Sequence, residues 1–219
     1  MATNYKDLPT PAQPRLPGAG PAYDLEQQNA FNAVLRLFFN QITNTFTALL
    51  SSAGMKYLRA PYGAFSSYTT QSTTANTATL LTLSNTDFAN EVSITSSKIT
   101  VDNAGIYNFQ FSVQIQSLDN APQDTFIWLK QNGTDITGST GKIGLPARKG
   151  PSDPFHDIKG WNYYLSMAAS DYVEIYWSTT STNVTIPTYA ASGSPTKPST
   201  ASVVATISFV SALQIATIV

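Results

Sequence analysis

Residues 105–116 read GIYNFQFSVQIQ, and this stretch constrains the chain most. Apolar and polar residues alternate strictly along it. Tyr107, Phe109, Phe111, Val113 and Ile115 fall on one face of a strand, and Asn108, Gln110, Ser112, Gln114 and Gln116 on the other. The first is a core face. The second carries five polar side chains and no charge, whereas a solvated strand face usually contains Lys, Glu or Asp. Amides and hydroxyls without charge suit a surface that meets protein, because burying an unpaired charge costs several kcal/mol, or one that must survive outside a cell.

Composition carries the same theme through the chain. Only 11% of the 219 residues are charged and the net charge is −1, against roughly a quarter charged in an ordinary domain. No basic footprint for nucleic acid and no basic amphipathic helix is present, so neither nucleic acid nor a membrane surface is an expected partner. No apolar run is long enough to span a bilayer as a helix. Cysteine is absent, which removes disulfides and thiol catalysis. The opening residues MATNYKDLPT have neither a cationic nor an apolar region, so no signal peptide is expected. The sequons at Asn132 and Asn183 then read as plain turn and strand residues.

Three zones follow. Residues 1–23 hold Pro9, Pro11, Pro14, Pro17 and Pro21, which oppose a helix and favour extended, polyproline-like backbone. They read either as a disordered tail or as an arm docking on a neighbouring protein, with Tyr5, Leu8, Leu16 and Tyr23 as anchors. Residues 24–53 read as a helix. Asp24 can cap it, Glu26 agrees with the helix dipole, and Gly54 can end it. Phe31, Leu35, Phe38, Ile42, Thr45 and Leu49 step alternately by four and three, forming an a/d seam that Phe39, Phe46 and Leu50 widen. A seam this wide suits three or more helices, or burial against a body, and spans roughly 40–45 Å at the helical rise.

Residues 60–219 form a strand-rich head. Strands are expected at 62–69, 77–84, 91–101, 105–117, 125–132, 160–167, 171–179, 183–189 and 201–211, with hairpin turns at Asp102-Asn103 and Asn132-Gly133. Nine or ten strands with almost no helix indicate a mainly β chain, a β-sandwich of jelly-roll type. Residues 133–159 read as a long loop.

No catalytic constellation appears. His156 is the one histidine; Asp153 and Asp157 flank it, but one loop supplies too few ligands for a metal. GSTGK at 138–142 misses the phosphate-loop frame, because Ile136 and Ile143 occupy its Gly and Ser/Thr positions. Asp171 and Glu174 read as a solvated edge before a calcium site. Trp128, Trp161, Tyr163, Tyr176 and Trp177 could form a sugar platform, although their placement suits a core better. No enzyme activity and no cofactor is expected.

Taken in order, PYGAFSS at 61–67, KITVDNAGIYNFQFSVQIQ at 98–116, TFIWLKQNGTDI at 125–136, GWNYYLSMAASDYVEIYWSTTSTNVTI at 160–186 and PSTASVVATISFVSAL at 198–213 form a recognisable set. The set resembles the jelly roll of the complement-type globular head and tumour-necrosis-factor superfamily. Gly105, Tyr107 and Phe109 match its Gly-x-Tyr-x-Phe strand; Leu129, Lys130, Asn132 and Gly133 match the hairpin that follows. With the preceding helix and Thr/Asn-rich strands, the variant resembles fibre, tail-tip or capsid-decoration proteins of tailed bacteriophages. The resemblance implies a homotrimer located on the virion, non-enzymatic, held to other virion proteins by residues 1–23. Phe31, Leu35, Phe38, Ile42 and Leu49 would form the stalk seam of residues 24–53. Tyr107, Phe109, Phe111, Trp161, Tyr163 and Tyr176 would form the core or subunit contact of the head at 60–219. Loops 117–124, 133–159 and 188–199 would reach a host-surface glycan or protein. The alternative is a lectin-like carbohydrate-binding module with no particle role.

Overall fold

The computed structural model describes residues 11–17, 22, 24–50 and 60–211, and the chain divides between Arg59 and Ala60 into two compact units. In the first unit, α1 spans Leu25–Leu50. Asp24 caps it: its carboxylate accepts the Glu26 N–H at 2.9 Å, and its carbonyl accepts the Gln28 N–H. The helix is about 39 Å long at 1.5 Å per residue. The expected end at 51–54 lies outside the described residues.

The second unit is mainly β, two antiparallel sheets in an arrangement consistent with a β-sandwich. Sheet A contains β1 (Tyr62–Ser67), β2 (Gln71–Ser72), β4 (Asn85–Asn90), β7 (Gly105–Ser117), β11 (Phe155–Met167), β13 (Val184–Ile186) and β16 (Val203–Ser211). Sheet B contains β3 (Thr79–Leu80), β5 (Val92–Thr95), β6 (Lys98–Val101), β8 (Gln123–Gln131), β9 (Thr134–Asp135), β10 (Gly141–Leu145) and β12 (Tyr172–Thr179). A short ribbon pairs β14 (Ser192–Gly193) with β15 (Thr196–Lys197). In sheet A the order runs β11, β7, β16, β1, β4; in sheet B it runs β10, β8, β12, β6, β5.

The core follows from the alternation. Tyr107, Phe109, Phe111, Val113 and Ile115 of β7 point inward and are buried, as do Ile127 and Leu129 of β8 and Val173, Ile175 and Trp177 of β12. At about 1.5–3 kcal/mol per buried side chain, the β7 face alone contributes on the order of 10 kcal/mol. A one-residue slip would exchange that face for the amide face, so this term sets the register. Tyr107 also ties the corner before its strand, donating its hydroxyl to the Asn103 carbonyl at 2.8 Å.

Several expected boundaries differ. Residues 91–101 are two strands, because Ser96 and Ser97 take positive φ (51° and 63°) and close a two-residue hairpin between β5 and β6. Ser97 is buried there, and its Oγ accepts the Leu83 N–H at 3.0 Å. Asp102-Asn103 is no hairpin: it carries the chain from β6 in sheet B to β7 in sheet A. Asn132-Gly133 is one, with φ of 52° and 79° between β8 and β9. Residues 133–159 are not one long loop but hold β9, β10 and the start of β11, and 188–199 holds the β14–β15 ribbon. Of 77–84 only Thr79–Leu80 is strand, and Asn85–Asn90, outside the expected strands, pairs with β1.

Candidate assembly face

The outward face of sheet A is continuous across its strands. Cross-strand partners run Tyr164–Asn108–Ser208–Tyr62 in one row and Asn162–Gln110–Thr206–Ala64–Phe88 in the next. Gly160–Ser112–Val204–Ser66 follows, then Ile158–Gln114 and His156–Gln116. No outward position on β11, β7, β16 or β1 carries Lys, Arg, Asp or Glu. A carboxylate appears at the rim, where Asp87 of the edge strand β4 accepts the Ser66 hydroxyl at 2.9 Å. Large apolar groups stand on the same face: Tyr164 (67% exposed), Ile158 (62%), Phe88 (61%) and Tyr62 (44%). Between β7 and β11 the partners Ser112 and Gly160 leave an open hollow of about 520 Å³, lined also by Gln110, Asn162, Val204 and Thr206.

Sheet B is finished differently. Its outward positions include Asp124, Phe126, Trp128, Lys130, Lys142, Tyr172, Glu174 and Tyr176. Lys98 lies over the Tyr172 ring and Lys130 over Tyr176, each ammonium 4.5 Å from the centroid, and Lys142 lies 5.8 Å from that of Phe126. Lys142 pairs with Asp124 at 2.8 Å, Lys130 with Asp135 at 3.4 Å, and the Trp128 indole donates to Asp135 at 2.7 Å. The lysine stems cover ring surface while their heads stay in water. Of the four rings on this face, Phe126, Tyr172 and Tyr176 therefore already carry an ammonium, and Trp128 does not.

The head residues singled out from sequence separate accordingly. Tyr107, Phe109 and Phe111 are core, buried beneath the amide face rather than displayed on it. Trp161 and Tyr163 pack against the core edge on β11; Trp161 stacks on Phe111 at 5.3 Å, and the Tyr163 hydroxyl donates to the Ser139 carbonyl at 2.7 Å. Burial raises the Tyr163 pKa above its ordinary value. Tyr176 is not core: it stands on the outer face of sheet B under Lys130. The neutral hollow was missed because it depends on which residue of β11 faces Ser112. Only the Ser and Gly identities hinted at it.

On α1, Phe31, Leu35, Phe38, Ile42 and Leu49 are half-buried along one stripe with Thr45, while Phe39 and Phe46 are exposed at 58% each. Of the arm anchors, Leu16 is exposed; Tyr5, Leu8 and Tyr23 lie outside the described residues.

The loop chemistry is structural. Asp171 accepts from the Asn132 amide at 2.7 Å, the Ala168 N–H at 2.8 Å and the Gln131 amide at 2.9 Å, which holds its pKa below the usual carboxylate range. A carboxylate facing three donors presents little to a calcium ion. Among the described residues no three His, Cys, Asp or Glu side chains gather as a metal site. His156 is exposed and its Nδ1 lies 2.9 Å from the Tyr189 hydroxyl, while Asp157 points to the other face and pairs with Lys159 at 2.8 Å. No helix among the described residues is long and apolar enough to cross a membrane. Set against known proteins, the chain matches no family model and no curated protein sequence.

Proposed function

We propose that the chain is a non-enzymatic structural protein of a phage virion, a homotrimeric fibre or decoration subunit with a jelly-roll head. The observation that carries the trimer is the asymmetry of the two sheets. Sheet B keeps lysines and carboxylates on its outer face, while sheet A, with a longer strand at its centre, keeps none on β11, β7, β16 or β1. Copies of a charge-free face can meet without desolvating an ion, a cost of several kcal/mol per charge that sheet B would incur. The order in which β7 lies between β11 and β16, and β12 between β8 and β6, supports the jelly-roll reading. The half-buried heptad stripe on α1 supports a shared stalk. The virion assignment rests on the resemblance of the head and its preceding helix to phage fibre and decoration proteins.

In this reading residues 1–23 hold the particle. Three tethered arms bind more firmly than one, because the second and third attach at high effective concentration. The head then points outward, where loops 117–124 and 188–199 meet a host-surface glycan or protein. The test is deletion of residues 2–22. The head should melt as before, and incorporation into particles should be lost. Normal incorporation of the deleted chain would refute the anchor.

A further inference from the structure

We propose that Phe88 of one copy seats in the Ser112–Gly160 hollow of the next, so that the contact across sheet A is made by two different patches. The inference rests on the reading of sheet A as the subunit contact and names the residues that would make it. Ser112 and Gly160 face each other across β7 and β11. Neither side chain extends beyond a hydroxyl, so the rows on either side stand higher. The hollow of about 520 Å³ is lined by uncharged groups: Gln110, Ser112, Asn162, Val204 and Thr206 around the bare Gly160 backbone. A phenyl ring fits that volume and the lining offers it no charge, while Asp87 beside Phe88 is held by the Ser66 hydroxyl at 2.9 Å.

Phe88 has the complementary character. It stands on the edge strand β4, 61% exposed, braced edge-to-face by Tyr62 with centroids 6.0 Å apart. It belongs to the same cross-strand row as Gln110, through Ala64 and Thr206. Three strand spacings separate it from β7, roughly 14 Å, so a molecule cannot fill its own hollow. A two-fold axis through the hollow would set hollow on hollow and leave Phe88 in water; one midway between the patches would seat each Phe88 in the other copy's hollow, a dimer that the native mass separates from a ring. A closed three-fold ring instead requires each copy to offer two unlike patches. The opposite ends of this one face supply them, a ring at the β4 edge and a hollow at the β11 edge.

The chain contains no cysteine, so cross-linking reads the contact directly. Phe88→Cys and Ser112→Cys are made separately in the full chain, mixed, dissociated, reassembled and oxidised. The expected result is a disulfide-linked dimer in the mixture and none in either variant alone. Phe88→Ala and Ser112→Trp, one removing the ring and the other filling the hollow, should each weaken association at least tenfold. Ser178→Trp on the outer face of sheet B should leave it unchanged. Cross-linking of Ser112→Cys with itself would overturn the proposal in favour of a two-fold contact through the hollow, and a dimeric mass with the mixed cross-link would overturn the ring. A trimeric mass with no cross-link, and with Phe88→Ala and Ser112→Trp associating like wild type, would also overturn it while leaving the trimer standing. A monomeric wild-type mass would remove the reading beneath it.

Discussion

The indole of Trp161 stacks on the Phe111 ring across β11 and β7, centroids 5.3 Å apart and planes inclined by 21°, and it covers Gly141 of β10. A Cβ on Gly141 would fall 2.2 Å from the indole. Trp161 thus closes the edge of the core where the two sheets approach, and the absence of a side chain at 141 is the condition for it.

Gly141→Ala should therefore displace Trp161 from Phe111 and cost about 1–3 kcal/mol, the usual range for overpacking. Gly144→Ala, whose Cβ would meet only Asp124 at 3.9 Å, should stay within about 0.5 kcal/mol of wild type. Urea unfolding of the two variants beside wild type measures the difference. Equal midpoints would show that Trp161 is not fixed there.

A single positive charge should separate the two outer faces. Gln110→Lys places an ammonium at the centre of the sheet A face, where desolvating it costs several kcal/mol. Association should weaken more than tenfold while the head melts normally. Ser93→Lys on β5 of sheet B should change neither. Sedimentation over a concentration series reads both, and equal association of the two variants would contradict the assignment of sheet A.

The helix makes a separate claim. Phe38 lies mid-stripe on α1, so Phe38→Asp would gather one carboxylate per copy in an apolar layer. The assembly should lose stability by several kcal/mol, the order of cost for burying unpaired charge, and the heads should remain folded. An assembly as stable as wild type by thermal melting and sedimentation would remove the helix from the contact.

Asp171 predicts a pH dependence. Its carboxylate is held by Asn132, Ala168 and Gln131, and its folded pKa lies below the ordinary 3.8. A depressed folded pKa means the stabilisation is complete above about 3.8 and lost as pH falls below it. The group is only half-buried and solvent screens it, so the effect is small. Urea midpoints from pH 6 to 2.5 should fall more steeply in wild type than in Asp171→Asn. Parallel slopes would show that the cluster does not titrate with folding.

Strand β7 is legible in sequence because its two faces differ in kind at every step. The β5–β6 hairpin is not, because its left-handed residues are two serines rather than Asn-Gly, and the buried hydrogen bond that holds Ser97 comes from Leu83, fourteen residues upstream. The start of β11 hides for another reason. Its inward positions run Phe155, Asp157, Lys159, and an edge strand tolerates inward charges that a central strand cannot. Tyr176 reads as core in sequence because β12 is apolar on both faces. Periodicity alone cannot say that Ile175 and Trp177 point in while Tyr176 points out. The amide face was readable along one strand. The neutrality of the outer face across β11, β7, β16 and β1, and the hollow in it, depend on pairings between residues about forty to a hundred and fifty positions apart.

The native mass of the intact chain tests the central claim most directly. The protomer is 23.6 kDa, so three copies weigh 70.8 kDa. Light scattering or native mass spectrometry at micromolar concentration should give 70.8 kDa, with Gln110→Lys shifting toward 23.6 kDa. A wild-type chain that stays at 23.6 kDa across the concentration range would contradict the account. The uncharged face of sheet A would then be solvent-facing, and the α1 stripe would serve something other than a shared stalk.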